Sequence, residues 1–465
     1  MIFLRRGTLS KISLIGAVII LACSPLWAAE DFAYKAKGYV MGRAYQDVKD
    51  DTPFEKQHDL EGRARLENEL TLKDWDALAF VAVEARGEAF FNDKTAKDAD
   101  FLLREAYVEV RKPHFSCTIG RQVLTWGKLD DIVILDRLNP QDYRRFIMYN
   151  KQERKEPVFM FRHSYFGKGF EIESVFIPEF RASNLQYFGT DWSAYDHLIQ
   201  GVEEGEYSEG TKGIIRKIRT EEKESLTDRS LKNAQGGMRL RTRIGEVDWG
   251  FYYMNLLQSL STLREKSDKG LFLKRLLNFP TADNLAALIA NNPADFDLAL
   301  EEEHPRMHVA GFDWEAVAGE WGVRGEAAFL SGHPYCAADM SYAERNTLMA
   351  GIGADHTTAN NLSLNVQFIE TYILNYKPLF PDEEFSHQVT ATLSKDFLRG
   401  DLTCTLKHTF NISYKDWMLN PKVSYKFKNG LQATLGSFLF EGGPTTLFGR
   451  YSNQDVIYLE AKIHF

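Results

Sequence analysis

"LEGRARLENELTL", residues 60–72, carries two faces at a period of two. Leu60, Gly62, Ala64, Leu66, Leu70 and Leu72 fall on one side, and Glu61, Arg63, Arg65, Glu67 and Glu69 on the other. Alternation of this kind belongs to a strand, because successive side chains of an extended chain point to opposite faces. In a soluble sheet the charged face would meet water outside. In a transmembrane barrel it would line the lumen, since lipid takes the apolar parity and a mid-membrane charge on the lipid side costs ~2–4 kcal/mol. The rest of the chain decides between the two.

The same alternation recurs along the sequence. Residues 77–91 set Val81, Val83, Ala85 and Ala89 against Glu84, Arg86 and Glu88, and residues 236–243 set Met238 and Leu240 against Arg239, Arg241 and Arg243. Further on, Val389, Ala391 and Leu393 alternate with Gln388, Thr390 and Thr392, and Leu402, Cys404 and Leu406 with Thr403, Thr405 and Lys407. Leu431, Ala433 and Leu435 alternate likewise with Gln432, Thr434 and Gly436. The chain ends on DVIYLEAKIHF, with Ile457, Leu459, Ala461, Ile463 and Phe465 on one parity. An aromatic last residue on an amphipathic strand resembles the terminal strand of Gram-negative outer-membrane barrels, and the resemblance implies recognition of Phe465 by the barrel-assembly machinery.

The connections give a second test. Short turns are expected near 73–76, 112–114, 167–169, 244–246, 318–320, 358–360, 399–401 and 428–430. Longer segments fall between them at 46–58, 92–100, 125–155, 180–233, 259–304, 331–341, 373–386 and 443–454, with 412–416 as the one short exception. Tight periplasmic turns alternating with longer outer loops are the pattern of a bacterial barrel, and about eighteen strands fit between them. Trp75, Trp249, Trp314 and Trp321 all lie beside the short turns, as a girdle at one interface would. Of the longer segments, 201–231 is charged and poor in aromatics and is expected to be an outer loop, while 270–302 contains LFLKRLLNF and DNLAALIANN, which suit short helices.

The N-terminus reads as a secretory signal peptide over residues 1–28, with Arg5, Arg6 and Lys11 ahead of a short apolar run from Ile12 to Ala22 and small residues at Ala28 and Ala29. Cys23 allows a lipoprotein reading, although Leu21 is bulky for it. Residues 29–465 would then be one barrel. Loss of the three leader cations takes the net charge from −9 to −12, which disfavours nucleic acid as a partner. Beyond the leader, Cys117, Cys336 and Cys404 are scattered, with no C-x-x-C pair, so neither a disulfide framework nor a zinc, haem or other cofactor site is expected. The mean hydropathy of −0.33 is compatible with a barrel, whose lipid face is hidden in alternation.

"LTWGKLDDIVILDRLNPQDYRRF", residues 124–146, sits between the fifth and sixth strands and is therefore the third outer loop. We expect it to fold inward. Ile132, Val133, Ile134 and Leu135 can pack on an inner wall, leaving Lys128, Asp130, Asp131, Asp136, Arg137, Asp142, Arg144 and Arg145 as constriction and selectivity residues. NPQDYRRF suits a turn opening into a helix, with Asn139 as cap and Pro140 at the first helical position.

LREAYVEV (103–110), GRQVLTWGKLDD (120–131) and LDRLNPQDYRRF (135–146) together resemble a bacterial outer-membrane family catalogued only as a domain of unknown function. The shared elements are a strand arginine, G-R-Q…W-G, an acid, and D-x-x-N-P-x-D. They fall here on Arg104, Arg121, Trp126, Asp136, Asn139, Pro140 and Asp142. In size and strand count the chain is also similar to alginate-export barrels. These resemblances imply porin-like transport in the outer membrane, without naming the solute.

Arg104 and Arg121 share parity with the apolar Val108, Val110, Cys117 and Ile119. Either a bulge turns them inward onto Asp130, Asp136 or Asp142, where with Trp126, Asn139 and Pro140 they anchor the loop, or they reach lipopolysaccharide phosphates. The inward pairing is preferred. Among expected lumen charges, Arg63, Arg65, Arg86, Arg239, Arg241, Arg243, Glu67 and Glu84 form either cross-strand ion pairs or an anion path. The Arg239-Arg241-Arg243 run is the best anion candidate. No G-x-S-x-G, H-E-x-x-H or G-K-S/T element points to an enzyme. The sequence thus predicts an all-β, antiparallel transmembrane barrel that passes a small or polymeric solute. Alternatives are an export or lipid-handling component with a periplasmic partner, which predicts an apolar lumen patch, and a structural or electron-conduit barrel.

Overall fold

The computed structural model describes residues 32–49, 58–91, 96–130, 132–187, 192–194, 209, 212–213, 219–222, 231–265, 299–336, 342–378 and 382–465. The expected leader, Asp131 and most of 201–231 and 270–302 lie outside them.

Eighteen strands form one antiparallel sheet that closes on itself. The first seven are β1 (Phe32–Asp47), β2 (His58–Leu72), β3 (Ala77–Phe91), β4 (Ala96–Lys112), β5 (Phe115–Gln122), β6 (Val158–Gly167) and β7 (Phe170–Ile177). The wall continues through β9 (Gln235–Ile244), β10 (Val247–Leu257), β13 (Arg306–Ala318), β14 (Trp321–Cys336), β15 (Tyr342–Thr357) and β16 (Leu362–Ile373). It ends with β17 (Phe385–Phe397), β18 (Leu402–Asn411), β19 (Asp416–Lys426), β20 (Leu431–Glu441) and β21 (Val456–His464). Each strand pairs with the next barrel strand, and β21 returns to β1 in register from Tyr39↔His464 to Asp47↔Val456. Backbone bonds between Gly38 and Phe465, at 2.9 and 3.0 Å, seal that seam. Closure leaves no sheet edge unpaired, which hydrocarbon requires.

The remaining strands, β8 (Arg219–Glu222), β11 (Thr262–Glu265) and β12 (Ala299–Glu303), form a small separate sheet that ties together the β7–β9 and β10–β13 connections. Residues 219–222, within the segment expected as an outer loop, are a strand, while the helices expected at LFLKRLLNF and DNLAALIANN fall outside the described residues.

Short and long connections alternate as expected, so both described ends of the wall, Phe32 and Phe465, lie on the short-turn side. Gly245 and Gly319 open two-residue turns at φ +64° and +62°, a left-handed conformation that tight hairpins demand and glycine adopts without strain.

The alternation resolves as a barrel wall turned inside out. Leu60 is 50% exposed and Met238 52%, while the intervening parity is hidden, with Glu61 at 2% and Arg239 at 9%. Phe251, Phe312, Ile352, Phe368, Leu406 and Leu435 continue the outer apolar belt. Trp75 and Trp321 are exposed at its short-turn rim, where Trp249 faces Trp314 across β10 and β13.

One wall irregularity bears on the loop region. Ala82 pairs with Glu105 but Val83 with Leu103, so β4 carries an extra residue. Such a bulge reverses the parity beyond it. Phe101 and Leu103 face out before it, Val108 after it, and Arg104 is left buried at 7% exposure.

A charge placed on the belt should be costly. Ile352→Lys is expected to lower the unfolding free energy in bilayers by ~2–4 kcal/mol, whereas Thr392→Lys on the inward parity should cost far less. Equilibrium denaturant titration of lipid-refolded protein reads the difference.

Candidate functional site: the 123–157 segment and the wall it touches

Between β5 and β6 lies the segment 123–157, whose only helix among the described residues is a single turn, α1 (Lys151–Arg154). Asn150 caps it in a capping box with Glu153. The helix expected to begin after Asn139 is not formed. Asn139 is instead a staple: its Oδ1 accepts from Leu124 N–H at 2.8 Å, and its Nδ2 donates to the Gln122 and Glu156 carbonyls at 3.2 and 3.0 Å. Gln141 and Asp142 bridge to Lys155 and Asn184, which holds this stretch extended. Pro140 is buried, and its carbonyl accepts from Glu156 N–H at 2.8 Å.

The segment's first half packs on inward side chains. Leu124, Trp126, Leu129, Ile134, Leu135 and Leu138 share one apolar cluster with residues of β6, β7, β10, β13, β14 and β16, and Ile132 packs against it. Small residues make the sockets. A Cβ on Gly351 would fall 2.5 Å from Leu129 and 3.1 Å from Ile134, one on Gly311 2.8 Å from Leu135, and one on Gly237 3.0 Å from the Trp126 ring. Trp126, 1% exposed, donates from Nε1 to Glu173 at 2.6 Å. The second half packs elsewhere: Phe146 and Met148 join Tyr45, Met418, Phe438, Phe440 and Tyr458 of β1, β19, β20 and β21.

Polar anchors reinforce both contacts. Glu326 of β14 accepts from the N–H groups of Lys128, Leu129 and Leu135, the last two at 2.6 and 3.2 Å. A single carboxylate thereby gathers the tip of the segment. Lys128 Nζ reaches Glu315 at 2.6 Å. Asp130 accepts from Arg324 at 2.6 Å and from Asn365 and Gln367 at 3.0 Å each. Arg145 pairs with Asp59 at 3.0 Å beneath the Tyr45 ring. Arg86 donates to Asp142 at 3.1 Å, and Arg144 grips the same carboxylate with two bonds of 3.0 and 2.9 Å. Tyr149 donates to Glu61 at 3.1 Å while the guanidiniums of Arg43, Arg63 and Arg86 lie over its ring.

Several expected site residues therefore sit differently from the sequence reading. Asp136, Asp142 and Arg145 do not face a watery constriction; all are buried. Asp136 meets Lys155 at 2.6 Å and Lys151 at 3.1 Å, and Lys155 also donates to the Leu124 carbonyl and Thr125. Burial pushes the Lys155 amine below its usual range despite Asp136. Burial also acts to raise the Asp142 carboxyl, but Arg144 and Arg86 outweigh it and hold it at about 2. Its contribution to stability is complete above an unfolded value of 3.8 and fades as pH falls through about 2. Arg137 bonds to the Ile134 and Val133 carbonyls.

Arg104 is turned inward by the bulge, as preferred, but onto Glu156 (2.8 Å) and the Lys155 carbonyl (2.7 Å) rather than onto Asp130, Asp136 or Asp142. Arg121 is not turned inward. It keeps the outer parity beside the Arg104 carbonyl at 3.4 Å.

Among the lumen charges, Arg65 contacts Glu67 at 2.8 Å and Glu105 at 3.4 Å, Glu84 accepts from Tyr39, and Arg63 pairs with Glu61. Arg239, Arg241 and Arg243 face Glu173, Glu171 and Asp248 across the strands, an arrangement that favours wall pairing over an anion site. Glu326, Glu156, Lys155 and Tyr149 were missed as anchors. For Glu326, inward parity on β14 was the available signal; the others lie in irregular chain with no periodicity to mark them.

The packing and the buried pair are both open to test. Gly351→Val should fill the Leu129 socket and cost roughly 1–3 kcal/mol, and Leu129→Ala in the same chain should recover part of it. Asp136→Asn should cost about 3–5 kcal/mol by leaving Lys155 uncompensated, and Lys155→Met alongside it should restore part. Denaturant unfolding and amide exchange over 124–138 check both.

No curated protein sequence matches the chain. Among solved structures it is similar to Pseudomonas aeruginosa OccK8 (OprE) at 11% identity and a TM-score of 0.48, covering 93% of this chain and 98% of that one. Acinetobacter baumannii OccAB3 gives 10% and 0.47 over 93% and 99%, and Salmonella typhi OmpF in complex with daunomycin 9% and 0.43 over 93% and 97%. The family model described as "Protein of unknown function (DUF1302)" matches residues 31–449, and the chain belongs to that family.

Proposed function

We propose that the barrel lies in the outer membrane of a Gram-negative cell and is a porin-like channel for a small or polymeric polar solute. In this reading the 123–157 segment folds into the lumen and narrows it. The observation that carries the proposal is the spread of the segment's partners. Its side chains and N–H groups bond to inward-parity residues of β2, β3, β7, β13, β14 and β16. Among the described residues none of these bonds reaches β17 or β18. A chain that touches so much of a closed wall from within leaves a passage along the part it does not touch. The outer apolar belt and the tryptophans at the short-turn rim support the membrane setting.

A second reading has one observation in its favour. The inward faces of β10 and β13 are apolar, with Tyr252, Met254, Leu256, Met307 and Val309 buried there, and an apolar lumen patch suits an export or lipid-handling component. The segment's own Leu129, Ile134 and Leu135 occupy that patch, which favours the porin-like reading.

Replacing residues 128–145 by a short Gly/Ser linker should raise single-channel conductance in planar bilayers several-fold. Conductance equal to that of the full chain would remove the segment's role as a constriction.

A further inference from the structure

The outer wall carries a cationic spot at its long-connection end. Arg306 opens β13 on the outward parity, and His308 follows it there, exposed. Asn255 of β10 lies opposite His308, and Tyr253, 51% exposed, is the next outward residue toward the belt. The Arg306 guanidinium donates to the Ala234 carbonyl at 3.0 Å, to the Lys232 carbonyl at 2.6 Å and to Asn255 Oδ1. These neutral acceptors fix its place without neutralising it. With Oδ1 taken, the Asn255 amide presents Nδ2 to His308 Nδ1 at 3.5 Å, where the Tyr253 hydroxyl also meets it at 2.9 Å. An amide nitrogen can donate and not accept, so Nδ1 is the acceptor and the hydrogen of the neutral ring sits on Nε2. Lys232, in a 3-10 turn over Leu231–Asn233, is exposed, and its neighbour Leu231 is 76% exposed. No carboxylate answers these charges. The outward parity of β9, β10, β13 and β14 carries no acid, and among the described residues neither Arg306 nor Lys232 makes an ion pair.

We infer that this spot binds the phosphate of an outer-leaflet lipid, the phosphorylated sugar headgroup of lipopolysaccharide. The inference rests on the membrane setting proposed above and is independent of whether the barrel conducts. Long connections lie on the outer side of such barrels, so the adjacent leaflet is the outer one. Along β10 the outward parity passes from Phe251 through Tyr253 to Asn255, and along β13 from Phe312 through Ala310 to His308 and Arg306. Apolar, then amphipathic, then cationic is the order met on leaving hydrocarbon for a headgroup layer. A guanidinium left in hydrocarbon would be costly, whereas at headgroup level it can meet a phosphate. Arg306 gives three of its five donors to the fold, so two stay open for phosphate oxygens. His308 Nε2–H and the Lys232 ammonium are further donors of the same sign. A symmetric contact with a second copy of the chain would set these cations against each other, which disfavours that occupant.

The test uses the full chain refolded in dodecyl maltoside micelles, with diphosphoryl lipid A as probe and bound lipid counted by native mass spectrometry. Binding is expected, with affinity falling roughly tenfold in the Lys232→Gln/Arg306→Gln variant. Arg399→Gln/Lys428→Gln, which removes the same charge from exposed turns at the opposite rim, should bind as the parent does. Lipid A stripped of its phosphates should not distinguish the parent from the first variant. Lys232→Glu alone leaves every Arg306 bond in place and should also weaken binding, so the prediction stands even where the double variant does not refold. Equal weakening by both double variants would assign the effect to net charge and overturn the inference. Displacement of the lipid by inorganic phosphate at equal concentration would overturn it too, since the ligand would then be a free anion. A parent chain that inserts into phosphatidylcholine vesicles yet binds no lipid A overturns this inference and leaves the membrane setting standing. Failure to insert overturns both.

Discussion

Hydrocarbon on the outside of a closed wall is the constraint on which the rest of this structure depends. It fixes the register of every strand, because a one-residue slip would put Glu61, Arg63 and Glu84 into lipid. It also forces every charge the sequence carries on the other parity into one enclosed interior. Many of these charges are deeply buried, so each needs a partner, and burying either sign alone would cost far more than a surface charge does. The paired wall around Tyr149, with Arg43, Arg63, Arg86, Glu61 and Glu88, is one consequence. The β4 bulge is another, since it moves Arg104 from the lipid parity to a carboxylate.

The same interior explains the 123–157 segment. A long irregular chain carries many backbone N–H and C=O groups that need partners. Here side chains of the wall and of the segment itself supply them: Glu326 of the wall takes three N–H groups, and the segment's own Asn139 and Lys155 satisfy carbonyls. The apolar run from Ile132 to Leu135 and the Phe146–Met148 stretch then hold the segment against two different parts of the wall. Geometry at both ends is thus over-determined.

Much of this was legible in the sequence wherever side chains repeat at a period of two. The strand count, the alternation of connections, the outward parity of Leu60 and Met238, and the apolar role of Ile134 and Leu135 follow from pattern alone. What failed did so for local reasons. Parity alone put Arg104 on the lipid face, and only the cost of a cation there pointed to the bulge that turns it inward; the partner it meets, Glu156 rather than Asp130, Asp136 or Asp142, has no mark in the periodicity. Asn139-Pro140 has the chemistry of a helix start, yet the Asn139 amide is consumed by three backbone groups and the capping box forms at Asn150 instead. Asp136 and Lys155 look like ordinary solvated loop charges until the fold brings them together 19 residues apart. Long-range pairing of this kind has no sequence period to betray it.

The most direct test of the whole account is the environment of consecutive side chains on one strand. Nitroxide labels placed singly at positions 238 to 241, in a chain freed of native cysteines and reconstituted in bilayers, should alternate residue by residue. Labels at Met238 and Leu240 should collide with lipid-dissolved oxygen, and labels at Arg239 and Arg241 should be shielded from it. Equal accessibility at all four positions, or oxygen contact at 239 and 241, would contradict the assignment of outer and inner faces and everything built on it.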